Sequence, residues 1–214
     1  METAAVNTII FDLGNVLLDF DHNIAAEKIR RSSDKSMDEI YRLIFDSGVT
    51  GDFEEGKMSA EEFFSRIKNM LNLDLDYEAF VPMWNEIFFL SDKNRQVQGL
   101  ARELWSGYKT AILSNINILH LEYIKSKYPF FSFFHEVLAS CELKLRKPEP
   151  SIYAKALQVL GAIPETAFYT DDRPELVTEA KKLGIRGFVF CGVEQLKADL
   201  KSCGVDIGQS AHVK

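Results

Sequence analysis

The chain has 214 residues, 46% of them apolar and 27% charged, with a net charge of −7 and a pI near 5.2. That length suits one domain, or one domain with an insertion, and either can bury a sizeable core. The acidic balance disfavours a nucleic-acid or anionic-membrane partner, while a small anionic substrate remains compatible with it if local positive groups hold it.

In chain order, the first apolar run covers 6–11 (VNTIIF), has the length of a buried strand, and stops at Asp12. From about His22 to Leu90 nothing reads as a strand, and amphipathic helical patterns follow one another. Two carry capping boxes, Ser36 with Glu39 before IYRLIF and Ser59 with Glu62 before FFSRI. The aromatic density over 80–89, with Trp84, reads as the core of this helical block. After it the pattern changes: a helix over 91–105 precedes Gly107, and a strand follows over 109–113 (KTAIL). The aromatic patch 128–134 (YPFFSFF) reads as buried under a sheet edge before a strand at 136–139 (EVLA). A helix over 151–160 stops at Gly161, a strand covers 167–170 (AFYT), a helix over 174–183 stops at Gly184 after Lys181 and Lys182, and a last strand covers 187–191 (GFVFC). Strands alternating with helices of this length imply βαβ units and a mostly parallel sheet. The helical block from 21 to 90 is either a separate cap or a set of helices packed on that sheet.

Cys141, Cys191 and Cys203 form no CxxC pair and no disulfide framework, which suits a reducing compartment. The histidines His22, His120, His135 and His212 lack zinc-type spacing. The start of the chain does not resemble a signal peptide, and no apolar run approaches the roughly 18 residues of a membrane span. A cytoplasmic protein without a membrane partner, monomeric or homodimeric, is the expectation.

Sites on open α/β sheets form at the carboxyl ends of strands. Asp12 follows the first strand, Ser114 and Asn115 the second, the basic loop LKLRKPEP with Lys144, Arg146 and Lys147 the third, and Asp171 with Asp172 the fourth. Each alone has an ordinary explanation as a turn residue, helix entry, solvated loop or helix cap. Together they bring three carboxylates, a hydroxyl, an amide and a lysine to one edge of the sheet. Clustered carboxylates repel one another unless a cation holds them, and a hard dication with oxygen ligands, Mg2+, is the natural choice. Such a site suits phosphoryl chemistry, with an Asp as covalent nucleophile and Ser, Asn and Lys on the phosphate oxygens.

Four motifs then carry a resemblance: Ile9-Ile10-Phe11-Asp12, ILSN with Ser114, RKPEPSIY with Lys147, and FYTDDRPE with Asp171 and Asp172. In this order, over residues 6 to about 190, the chain resembles the haloacid dehalogenase superfamily, mostly phosphatases that work through a phospho-aspartate. The resemblance implies an α/β fold, a doubly wound Rossmann-like parallel sheet core over 1–20 and 91–214, with an inserted all-helical cap of the C1 type over 21–90. It implies that Asp12 is nucleophile and metal ligand, that the Gly14 carbonyl and Asp172 complete the Mg2+ ligands with Asp171 beside them, and that Ser114 and Lys147 bind the phosphoryl group. Asn115 would assist there or at the substrate, which would be a small phosphorylated metabolite.

One element is missing. Most phosphatases of this superfamily carry a second Asp two residues after the nucleophile as general acid and base, and here that residue is Gly14. FDLGNVLLDFD resembles the branch that contains bacterial α-D-glucose-1-phosphate phosphatase, which also has Gly there, and this favours sugar phosphates. Asp19, Asp21 and His22, or Glu54 and Glu55 in the turn of the cap, are substitute acids. Two alternatives are a catalytically idle binding module and a metal-free 2-haloacid dehalogenase, the latter disfavoured by the Asp171–Asp172 pair. A further departure is Leu176, where relatives often place Asn or Asp.

Overall fold

The computed structural model describes residues 4–208. The chain opens with β1 (Thr8–Phe11), all four residues buried, and turns back through residues 13–18 into a short strand, β2 (Asp19–Phe20). The helical block follows as α1 (His22–Arg30), α2 (Met37–Tyr41) running on into a π-helical turn over Arg42–Asp46, α3 (Val49–Glu54), α4 (Ala60–Leu71) and α5 (Tyr77–Asn85), closed by β3 (Phe88–Phe89). The remainder comprises α6 (Asp92–Leu104), β4 (Lys109–Ser114), α7 (Ile118–Lys127), β5 (Glu136–Ala139), α8 (Ser140–Leu143), α9 (Pro150–Leu160), β6 (Ala167–Asp171), α10 (Pro174–Lys182), β7 (Arg186–Val189) and α11 (Val193–Ser202).

Five strands form one parallel sheet in the order β5-β4-β1-β6-β7, with Thr8 opposite both Lys109 and Ala167. This is the expected doubly wound α/β core. Side chains alternate across a strand, so Ile9 and Phe11 enter the core on one face with α6, α7 and α11, while Ile10 enters the other with α9 and α10. From β1 the chain crosses to β4 and β5 on one side and returns to β6 and β7 on the other. The crevice above β1 is therefore the switch point where such sheets bind ligands. The aromatic run 128–134 contributes the buried rings Phe130 and Phe134, the latter edge-on to Phe11 at 5.8 Å.

The helical block builds its own core. Both expected capping boxes are formed, Ser36 with Glu39 and Ser59 with Glu62, each such cap contributing about 1 kcal/mol. In α4, Phe63, Ile67 and Leu71 recur every four residues and are buried, with Phe63 stacked on Phe53 at 4.2 Å and packed against Phe80 and Trp84. The block is not wholly helical: β2 and β3 pair antiparallel where the chain leaves and re-enters the sheet domain. Two-residue strands are too short to show a period of two, which is why the sequence concealed them. Phe89, read as core, is 45% exposed because it lies on the outer side of that ribbon.

Strand ends also shift. Ser114 and Asp171 are the last residues of β4 and β6, not the first residues beyond them, and β7 spans Arg186–Val189. The three cysteines are unpaired, and among the described residues no helix is long and apolar enough to cross a membrane. His212 lies outside the described residues.

Candidate active site

At the carboxyl end of the central strand, Asp12 is 7% exposed and its backbone N–H donates to the Thr170 carbonyl of β6 (2.9 Å). Lys147 reaches it from the loop between α8 and α9. Its ammonium, 2% exposed, donates to Asp12 Oδ1 at 2.7 Å, Asp171 Oδ2 at 2.7 Å, the Leu113 carbonyl at 3.0 Å and Tyr169 Oη at 3.2 Å. Burial opposes the lysine's charge, but attraction by Asp12 and Asp171 outweighs it and holds the ammonium above its usual range. Burial, followed by repulsion from Asp171, leaves the Asp12 carboxyl raised despite Lys147.

Lys147 owes its place to Asn115. The Asn115 amide donates to the Lys147 carbonyl and accepts from the Lys147 N–H, both at 2.8 Å, so it clamps the lysine's backbone from the end of β4. Ser114 sits beside it, buried. Among the described residues its hydroxyl makes only a long contact of 3.4 Å to the Asn115 carbonyl, and it is available to an anion.

Asp171 is fully buried and fully engaged, with Oδ2 accepting from Lys147 and from the Tyr169 hydroxyl and Oδ1 from the Arg173 N–H at 2.9 Å. Burial first, and then Asp171's charge, pushes the Tyr169 phenol well above its usual range, so it stays protonated and donates. Asp172 is partly exposed, raised by burial, and its Oδ2 accepts from Asn15 Nδ2 at 2.9 Å. Asn15 makes that bond from a left-handed backbone (φ 56), which Asn tolerates better than most residues. Ligand atoms of Asp12, Asp171 and Asp172 lie within 4.8 Å of one another. Hard carboxylate oxygens at that spacing fit a dication. The engagement of Asp171 leaves Asp12 and Asp172 as the better-placed side chains.

A cavity of about 180 Å3 opens over this group, lined by Asp12, Gly14, Ser114, Asn115, Lys147 and Asp172 on the core side. Phe20, His22 and Glu54 line it from the helical block and its entry, with Arg146, Arg173 and Leu176 at the rim. A smaller, more apolar recess of about 60 Å3 adjoins it, bounded by Leu13, Ile87 and Phe88. Among the substitute acids, Asp19 is tied to Lys93 (2.8 Å) and Asn94 (3.0 Å), Asp21 caps α1, and Glu55 pairs with Lys57 (2.9 Å). None of these three lines the cavity; His22 and Glu54 do. Lys144 is exposed and takes no part.

Tyr169, Asn15 and Phe20 were not singled out from the sequence. Tyr169 was within reach of it, because the period of a strand places residues 169 and 171 on one face. Asn15 and Phe20 owe their roles to a turn and a ribbon that carry no periodic signal.

The sheet order, the carboxylate cluster and the buried lysine define a hydrolase built on an α/β switch point. The chain belongs to the haloacid dehalogenase-like hydrolases, whose family model matches residues 6–184. It is similar to a D-ribitol-5-phosphate phosphatase of Bacteroides thetaiotaomicron, 23% identical over 86% of this chain and 91% of that one. A phosphatase of Mycobacterium tuberculosis is 25% identical over 86% of this chain and 87% of its own length. Among solved structures, a family enzyme of B. thetaiotaomicron in complex with magnesium and inorganic phosphate superimposes with a TM-score of 0.77 at 24% identity, covering 86% of this chain and 93% of that one.

Proposed function

We propose that this hydrolase is a Mg2+-dependent phosphomonoesterase that acts on a small phosphorylated metabolite through a phospho-aspartyl intermediate on Asp12. The observation that carries the reading is the buried Asp12–Lys147–Asp171 array with Asp172 within metal-ligand reach. Lys147 fixes Asp12 Oδ1, orients the carboxylate for in-line attack, and offers its remaining charge to the phosphoryl oxygens. Ser114 donates to another of those oxygens. Asp12, Asp172 and the Gly14 carbonyl would hold Mg2+, with Asp171 beside them, and the bound ion would neutralise charge on the carboxylates and the transferring group.

The carboxylate cluster favours this chemistry over metal-free halide displacement, which has no use for it. The helices over 21–90 act as the cap that covers the substrate. A cavity of about 180 Å3 is small against the roughly 300 Å3 at which drug-sized sites begin, and so favours a compact ester. Sugar and polyol phosphates lead, supported by the branch resemblance to α-D-glucose 1-phosphate hydrolysis and by the relative that acts on D-ribitol 5-phosphate. Unpaired cysteines support a reducing, cytoplasmic setting for a monomer or homodimer.

The test is phosphate release from p-nitrophenyl phosphate and a panel of sugar and polyol phosphates, with and without Mg2+, using Asp12→Asn as control. Mg2+-dependent release that the substitution abolishes is the expected result. A silent panel from protein that still binds Mg2+ would make this an idle binding module.

A further inference from the structure

The side chain that supplies protons in most relatives has no ready space where the motif puts it. A Cβ on Gly14 would lie 2.8 Å from Phe20 Cε1, so the Phe20 ring fills that space. This ring is itself held between His22 and Phe88, with centroids at 4.9 and 6.2 Å. Outside the carboxylate–lysine cluster, the described cavity-lining side chains that can both give and take a proton are His22 and Glu54. Phe20 and Phe45 lie against the His22 ring, 4.9 and 4.5 Å from it. Burial holds His22 below its usual range and hence neutral, a poor proton donor.

Glu54 is placed differently. It ends α3, and its backbone carbonyl accepts from the Ser140 hydroxyl of α8, which pins the cap to the core at this residue. Its Oε2 accepts from Arg146 Nε at 3.0 Å, while Oε1 has no protein partner among the described residues. One oxygen is thus aimed by the core, and the other is left for a ligand.

We propose, on the phosphatase reading above, that Glu54 is the acid–base catalyst of this site, delivered by the cap in place of the side chain that Gly14 lacks. In the first step a carboxylate oxygen of Asp12 bonds to phosphorus, the ester P–O bond breaks with its electron pair on the leaving oxygen, and the Glu54 proton passes to that oxygen. In the second step the Glu54 carboxylate takes a proton from water as the water oxygen bonds to phosphorus. The bond between Asp12 and phosphorus then breaks, phosphate leaves, and Glu54 is again protonated. Its environment supports this: burial raises the Glu54 carboxyl even against the nearby charges of Arg146, Arg173 and Lys147. Arg146 positions the group. Because the acid arrives with the cap, the element that covers the substrate also delivers the proton.

The test compares kcat/KM of the Mg2+-loaded wild type, Glu54→Gln and His22→Gln on p-nitrophenyl phosphate, phenyl phosphate and glycerol phosphate, whose leaving groups are progressively more basic. Gln keeps the size of Glu54 and a hydrogen bond to Arg146, and thermal unfolding checks that the variant is folded. Glu54→Gln is expected to fall within roughly threefold of wild type on p-nitrophenyl phosphate and on the order of 10²–10³-fold on glycerol phosphate. The His22 variant should show no such dependence on leaving group. An equal loss across the series, no loss, or the steep dependence in the His22 variant would overturn the proposal. A wild type inactive on every ester would instead overturn the phosphatase reading on which it rests, before any variant is compared.

Discussion

At Gly14 a single atom decides what chemistry the motif allows. Gly14→Asp would restore the pattern of the wider superfamily, yet its Cβ would collide with a ring packed on both sides. We expect the substitution to cost about 1–3 kcal/mol in urea denaturation, as overpacking does, and to lower activity. Adding Phe20→Ala should recover part of the loss, because the two side chains compete for one space. The same scale shows where sequence reasoning reached its limit. Asp12, Ser114 and the acidic pair were legible because each stands at the end of an apolar run, Lys147 because it lies in the basic loop after one, and all have types suited to the chemistry. Asn115 was legible as a site neighbour, whereas its clamp on Lys147 depends on a backbone 32 positions away that no local pattern reveals.

Among the elements that meet between the helical block and the sheet domain are α3 and α8, and their closeness rests on Gly56. That residue has φ 69, and a Cβ there would lie 2.2 Å from the Cys141 carbonyl oxygen. Backbone cannot yield as a side-chain tip can. Gly56→Ala is therefore expected to destabilise the protein by more than about 1 kcal/mol. It should also speed amide hydrogen exchange over residues 51–57, and displacement of Glu54 should lower kcat/KM on glycerol phosphate on the order of 10²-fold. The element pattern itself was largely readable: β1, β4, β5, β6 and β7 appear where apolar runs of strand length stand between turn residues, and both capping boxes marked true helix starts. The docking of α3 on α8 was not readable. It depends on a left-handed glycine and a hydroxyl that gain meaning only when two distant segments touch.

Across the whole molecule, His120 of the sheet domain packs onto the core of the helical block. It lies in the first turn of α7, buried, stacked on Trp84 at 5.2 Å. Its Nε2–H donates to the Trp84 carbonyl and its Nδ1 accepts from Asn117 Nδ2, both at 3.0 Å. Burial pushes its pKa down to about 3, so the folded protein refuses a proton that the unfolded chain accepts near 6.5. The unfolded state then binds more protons below 6.5, and stability falls with pH from that point, by up to about 1.4 kcal/mol per pH unit. Urea unfolding at pH 7 and pH 5 should show a loss of about 2 kcal/mol from this residue, absent in His120→Gln; His22, lowered by burial, adds to the slope with the same sign.

The order of strands in the sheet has a consequence for how the protein is made. β1 is the central strand, but Thr8 waits for Lys109 on one side and Ala167 on the other. The helical block is synthesised in between, and its short-range contacts form quickly, whereas parallel pairing over such separations is slow. On the ribosome the nascent chain can therefore assemble its helical block over a strand that has no neighbours. Asp12 gains its buried partners only when Lys147 and Asp171 have been translated and the last βα units have closed around it.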